Sequence, residues 1–580
     1  MAPRIRTAAA FAHSFLTFRH SILACSPVSS ASSSFLVPTR LPLRCAPPSR
    51  ALSTRMVLAT AKDRPGVLDT DDRGSVLLFP RDGRIAVEGA PALDAYSGDL
   101  LILALWAPED DEAGFELPPS LNSLPTDVLS VLSDLVVESD FKAKSSSSTE
   151  VLRLMGGKVK RMALYGLGKK SKAPSSVAGA ARFAVEKACK IKNVDSVGLF
   201  VDEITTECVT TAAEGAVVAS YVDVRYKKEK KDYDKVPSKL GLVGVVNNPD
   251  NQSAIARGKD IAMGVITTKE LVNAPANALT PATLAEAASQ VASEAGLDIT
   301  VLGRAACEEK GMGCYLGVGR GSADEPKFIH MTYKPSGEVK KKLCIVGKAV
   351  TFDTGGTNLK VGNSMIELMK FDMGGAAVAI GTAKVIGSLK PDNVEVHFIM
   401  PAVENMIGNN AIHPGDILKA SNDKTVEVIN TDAEGRLCLA DAIVYAQNLG
   451  DVDCVVDIAT LTGAIIVALG NDVAGMWSSS DKLAENILES GKAVGEQWWR
   501  MPLVDEYSEG LKSKIADLRN ISTNRGGSSI TAALFLKEFV ETDKVEWAHL
   551  DIAGTVWSKE KGGATGHGVK TMVHWVENSV

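Results

Sequence analysis

The chain has 580 residues, 45% of them hydrophobic and 23% charged, with 63 basic and 70 acidic side chains. That is enough apolar material for a large buried core shared by more than one domain. No apolar run approaches the roughly 18 uncharged residues of a membrane helix, and the acid excess, which reaches −15 once residues 1–62 are set aside, argues against general nucleic-acid binding, which rests on neutralising phosphates.

Residues 1–62 differ from the rest. They contain no acid, are rich in Ser and Ala, and carry Arg4, Arg6, Arg19, Arg40, Arg44, Arg50 and Arg55. This is the composition of a disordered organelle transit peptide. Its serine content points to the plastid, hence the chloroplast stroma, with the mitochondrion as the alternative. A plain disordered tail is the blander reading. Without this segment, 55 basic side chains face 70 acidic ones, a balance of −15. Of the nine cysteines, Cys25 and Cys45 fall in the same segment. The other seven are scattered without a CxxC and read as reduced core cysteines.

From 63 to 235, strand-like and helix-like pieces alternate, the pattern of an N-terminal α/β domain. LLILALWAP (100–108), KRMALYGLG (160–168) and VDSVGLFVD (194–202) read as strands, and SSVAGAARFAVEKACKI (175–191) as a helix. YKKEKKDYDK (226–235) is a charged, solvent-facing connection. Residues 236–272 read as a linker and a bridging helix, which ends where Pro275 and Pro281 break regular structure. From 273 to 580 the sequence predicts a second, larger α/β domain with a central mixed sheet flanked by helices. Its apolar, β-branched strands are KKLCIVGKAV, VEVHFIMPAV and VDCVVDIATL. Its helices include MGGAAVAIGTAKVIGSL (373–389) and LADAIVYAQNL (439–449). No internal repeat is present.

The second half sets acids and lysines at strand ends beside glycines: Lys348, Asp353 and Lys360, then Asp372, then Asp432, Glu434 and Arg436 in INTDAEGRLCLAD. Ligands of open α/β sheets gather outside the carboxyl ends of the strands. Four carboxylates meeting there repel one another unless cations neutralise them, and divalent metal is the natural answer. HExxH and Cys/His zinc patterns are absent, so a metal site here rests on carboxylates. Each fragment also has a bland reading. Thr431-x-x-Glu434 matches a helix capping box, Asp372 suits a turn, and Lys348 and Lys360 could be surface lysines. GVGRG (317–321) reads as a tight turn, and the GK at 347–348 lacks the phosphate-loop pattern.

Taken together and in order, VGKAVTFDTGG, FDMGGAA, NTDAEGRL, DIATLTGA, RGGSSITAALFLKEF and WAHLDIAGT, with NAPANALTP and MGCYLGVGRGSADEP, closely resemble the leucine aminopeptidase (M17) family in its plant organellar form. The resemblance runs from about 260 to 577. It implies a two-metal exopeptidase that releases leucine and other apolar residues from peptide N-termini, using Mn²⁺, Zn²⁺ or Mg²⁺. By motif, Asp353 and Glu434 would bridge the metals, Asp432 would complete one site, and Lys348 and Asp372 the other. Lys360 would polarise the scissile carbonyl, and Arg436 would hold a bicarbonate acting as general base. Met369, Thr460, Gly463, Ala553 and Val556 would line the side-chain pocket, and the subunits would form a homohexamer. The sequence departs from the family pattern at Ala349, Thr357 and Cys438 and in the length of the 360–372 segment. A Cys-Gly dipeptidase and a non-catalytic, chaperone-like role remain as alternative readings.

Overall fold

The computed structural model describes residues 85–580, apart from 111–114, 171–172, 230, 233–234, 363, 525 and 561. The transit peptide expected over 1–62 lies outside the described residues. No helix among them is long and apolar enough to cross a membrane.

The first half builds a six-stranded sheet from β1 (Ala86–Ala90), β2 (Leu100–Trp106), β3 (Leu152–Arg153), β4 (Arg161–Gly168), β5 (Ser196–Val201) and β6 (Lys239–Val243), in the order β1-β6-β5-β2-β4-β3. Only β3 runs antiparallel to its neighbour. β2 is apolar on both faces because both faces are covered. Leu100, Ile102 and Ala104 pack with Ala180 and Ala184 of the helix Ala173–Cys189. Leu101, Leu103 and Leu105 meet Leu132 and Leu135 of the helix Thr126–Glu138. β6 falls in the stretch that the sequence assigned to a linker. It is instead an interior strand, paired with β1 on one side and β5 on the other.

The second half contains β7 (Asp298–Leu302), β8 (Lys327–Tyr333), β9 (Lys341–Gly347), β10 (Ala349–Asp353), β11 (Val394–Asn405), β12 (Ile417–Lys419), β13 (Thr425–Glu427), β14 (Cys454–Ala459), β15 (Val473–Ser478), β16 (Gln497–Arg500), β17 (Leu518–Arg519) and β18 (Glu546–Asp551). Nine form one mixed sheet, β16-β15-β18-β14-β9-β11-β8-β7, with β10 also on β11. β12, β13 and β17 form a small separate sheet. KKLCIVGKAV, expected as one strand, is two. β9 pairs with the first half of β11 and β10 with its end. The break falls at Lys348, whose N–H donates to Ile458. Gly347 precedes it because there is no room for a side chain: a Cβ there would stand 2.5 Å from the Gly375 carbonyl. GVGRG is helical: a short helix Gly313–Val318 runs into a 3-10 turn Gly319–Gly321.

The bridging helix is Pro249–Asn273, started by the Asn248 side chain accepting from the N–H of Asn251. It lies between Thr206–Ala219 of the first half and Gly374–Leu389 of the second. Glycines allow both approaches. A Cβ on Gly258 would sit 2.2 Å from the Thr210 carbonyl, and one on Gly264 would sit 2.6 Å from the Gly381 carbonyl. One continuous apolar core therefore runs through both halves.

Candidate active site

The carboxyl ends of β9, β10, β11 and β14 converge on one charged cluster. Lys348 reaches it from the β9–β10 break, and its buried Nζ lies 2.7 Å from Asp372 Oδ1 and 3.0 Å from Glu434 Oε1. It also donates to the Thr460 carbonyl at 3.2 Å. Asp353 ends β10, and Asp432 lies in the turn between β13 and the helix Gly435–Gln447. Lys360 Nζ joins these two acids, 2.8 Å from Asp353 Oδ2 and 2.6 Å from Asp432 Oδ1. Asp353, Asp432 and Glu434 each bring an oxygen to within 4.8 Å of the others. All seven charged residues singled out in the sequence lie in this region. Lys348 and Lys360 are thus not surface lysines, and Asp372 is fully buried.

Burial dominates the electrostatics. It pushes the carboxyls of Asp353, Asp372 and Asp432 above the usual range, and neighbouring carboxylates push the same way. For Lys348, burial opposes the charge, but Asp372, Glu434 and Asp353 overcome it and hold the ammonium above the normal lysine range. Lys360 behaves alike beside Asp353 and Asp432. Among the described residues Arg436 has no such carboxylate partner, and burial lowers its pKa to about 10. Its Nη1 donates to the Asn520 carbonyl at 2.7 Å, and its Nε is buried without a partner.

The capping-box expectation fails here. Glu434 is itself the residue before the helix and makes no side-chain cap, because its carboxylate is committed to Lys348. Thr431 Oγ1 turns to the other side of the site, donating to the Gly355 carbonyl at 2.6 Å and accepting from the N–H of Asn358 at 2.9 Å. The loop it meets needs its glycine. Gly355 has φ +87°, and a Cβ there would press on Asp432 Oδ1 at 2.7 Å.

Sequence reasoning missed the residues that hold the acids. Asn405, fully buried, donates to Asp353 Oδ1 at 2.8 Å and to the Thr431 carbonyl at 2.9 Å. Asn358 Oδ1 accepts from the N–H of Thr431 at 2.9 Å. Thr460, assigned to the pocket, also donates its hydroxyl to Asp372 Oδ1 at 2.8 Å. The available signal was a short amide side chain at a strand end, as in AVEN.

Four of the five residues expected to line the pocket fall in two groups. Thr460 and Val556 close on Gly374, where a Cβ would meet their methyl groups at 3.2 and 2.7 Å. Asp551 ties the segments bearing Gly463 and Ala553 together, accepting from the N–H groups of Leu461 and Ala553 and from the Thr462 hydroxyl. A Cβ on Gly463 would meet no atom within 4 Å. Met369 is half-buried on the 3-10 turn Ile366–Phe371 that leads into Asp372.

Residues 266–573 match the model of the cytosol aminopeptidase family catalytic domain, and residues 111–230 match that family's N-terminal domain. A probable cytosol aminopeptidase of Cyanothece is 48% identical over 83% of this chain and 98% of its own length. One from Microcystis aeruginosa is 47% identical over 84% of this chain and 98% of its own. A solved structure of a tomato leucine aminopeptidase mutant superposes with a TM-score of 0.77 at 41% identity, covering 85% of this chain and 96% of that one. The chain belongs to the cytosol aminopeptidase family, peptidase family M17, and is an aminopeptidase of that family.

Proposed function

We propose that the chain uses two divalent metal ions to release leucine and other apolar residues from peptide N-termini. The observation that carries this is the charge balance of the buried cluster. Among the described residues, Asp353, Asp372, Asp432 and Glu434 form ion pairs only with the ammonium groups of Lys348 and Lys360, so acids outnumber cations in a largely buried cluster. Asp372 Oδ2 is buried without a hydrogen-bond partner among the described residues. Hard oxygen donors of this kind suit Mn²⁺, Mg²⁺ or Zn²⁺, and the residues fit such ions.

Asp353, Asp432, Glu434, Asp372 and Lys348 would hold the ions. To serve as a ligand Lys348 would have to be a neutral amine, having given up the proton it shares with Asp372 and Glu434. When bound, the ions supply a water acidic enough to ionise near neutral pH and a seat for the free α-amino group. The chain's own groups do the rest. Lys360 donates to the scissile carbonyl oxygen and stabilises the charge that develops there. Arg436, with its unpartnered buried Nε, would hold bicarbonate, which supplies the general base. Thr460, Val556, Met369, Ala553 and the open side of Gly463 form a largely apolar pocket for the first side chain. We further propose a homohexamer acting on peptides in the chloroplast stroma, the location being supported by the acid-free, Ser- and Arg-rich segment 1–62.

The test is release of leucine from Leu-amide, with and without Mn²⁺ and a chelator. Absence of metal-dependent turnover in a folded protein would sink the proposal. Lys360→Ala should lower kcat about 10²–10³-fold, the usual cost of an oxyanion donor, with metal content unchanged. Loss of metal in that variant would mean that Lys360 has been given the wrong role.

A further inference from the structure

The stretch Ile429–Ala433 carries Asp432 and leads into Glu434 but belongs to no helix or strand, so no ladder satisfies its peptide groups. Asn520, fully buried just after β17, meets them instead. Its Oδ1 accepts from the N–H of Ile429 at 2.8 Å and of Asn430 at 3.3 Å. Its Nδ2 donates to the carbonyls of Asn430 at 2.6 Å and Ala433 at 3.3 Å. Both acceptor positions and both donors of the amide are used. The backbone of Asn520 completes the arrangement. Its N–H donates to the Glu427 carbonyl at 3.0 Å, and its carbonyl accepts from Arg436 Nη1 at 2.7 Å.

We propose that Asn520 is the positioning residue for Arg436: its side chain locks the segment after β17 onto the acidic turn, and its carbonyl then fixes the guanidinium. The proposal rests on the reading of Arg436 as a catalytic group. The chemistry explains the residue type. Asp could not donate to the Asn430 and Ala433 carbonyls, and Gln would carry the amide one carbon too far. Leu would take this partner from the N–H groups of Ile429 and Asn430 and from the Ala433 carbonyl. The acids themselves have separate support, because Thr431 is held by Asn358 and Asn405. Loss of Asn520 should therefore disturb Arg436 while sparing the metal ligands.

A double-mutant cycle on the Mn²⁺-loaded full chain tests this. Asn520→Ala should lower kcat for Leu-p-nitroanilide about 10–100-fold, as misplacement by an ångström does. KM should stay within about two-fold and Mn²⁺ content should not change. In an Arg436→Ala background the same change should cost less than about three-fold, because its target is gone. Asn520→Ser, which keeps one donor and one acceptor, should recover part of the activity, and it carries the cycle if the Ala variant does not fold. Amide exchange at Ile429 and Asn430 should accelerate in both variants. Losses that multiply across the cycle would overturn the proposal, as would an effect on KM alone or loss of metal. A wild-type chain without metal-dependent turnover would instead overturn the functional reading on which it rests.

Discussion

Gly435 is the first residue of its helix, and the structure leaves no room there for a side chain. A Cβ would lie 2.3 Å from Lys348 Cε and 2.6 Å from its Nζ. Carbon atoms in contact sit about 3.5–4.0 Å apart, so Gly435→Ala forces the lysine back by more than an ångström. Lysine is flexible, and alanine suits a helix better than glycine, so the fold should survive. The lysine has nowhere equivalent to go. Its Nζ is pinned at 2.7 Å by Asp372 and at 3.0 Å by Glu434, and it donates to the Thr460 carbonyl at 3.2 Å. Hydrogen bonds to nitrogen weaken beyond about 3.2 Å, so a shift of that size breaks all three. Displacement of a site group by about 1 Å typically costs 10²-fold. Gly435→Ala should therefore lower kcat/KM for Leu-p-nitroanilide about 10²-fold and reduce Mn²⁺ bound per subunit, with the circular-dichroism spectrum unchanged. Elemental analysis of the purified variant gives the metal content. Wild-type kcat/KM with full metal content would refute the placement of Lys348 in the machinery.

Gly463→Leu should fill the open space beside the Gly463 Cα and shift preference from leucine toward alanine substrates, seen as a higher KM for leucine; unchanged selectivity would place the pocket elsewhere. Gly375→Ala drives a Cβ to within 1.9 Å of the Ile458 carbonyl, a backbone atom that cannot turn aside. Loss of soluble protein or a marked fall in Tm is expected, and a normal Tm would contradict the packing of that helix on β14. His330, whose Nε2 lies 2.9 Å from His397 Nδ1, has its pKa lowered to about 4, first by burial and then by His397. The unfolded chain binds that proton near pH 6.5, so this contribution to stability is full above pH 6.5 and is lost as pH falls toward 4. Between pH 7.5 and 5.0 the loss is about 2 kcal/mol. His330→Asn should lose correspondingly less on the same acidification, measured as the change in Tm between the two pH values. Equal losses in both proteins would refute the assignment.

Strands buried on both faces were the most legible parts of the chain. β2, β4 and β5 read directly from apolar runs, and the bridging helix from the prolines that follow it. β6 was hidden because KLGLV is short, contains glycine and follows a charged loop, so nothing local marks it as an interior strand. The break between β9 and β10 was hidden for another reason. It lies at Lys348, whose N–H bonds to Ile458, a residue distant in sequence. The acids and lysines of the site were visible as an excess of charge at strand ends, but only the resemblance joined them into a set. The capping box matched its pattern and failed because Lys348 outcompetes a peptide N–H for Glu434 in a dry interior. The supporting asparagines showed only as short amides, Asn405 at a strand end, because each acts on a peptide group contributed by a remote segment.

The position of β6 bears on what a protease can do to this chain. The segment Lys227–Glu229 is exposed, as are Lys231 and Asp232, and it offers the natural cutting place between the halves. Yet the strand that follows is hydrogen-bonded on both sides by strands that precede the cut. The helix after it is clasped by Thr206–Ala219, and Arg225 donates to the Glu270 carbonyl at 2.7 Å. A nick there severs the covalent thread and leaves the two fragments interlocked, each completing the other's sheet or core. Two bands on a denaturing gel would still travel as one particle on a sizing column.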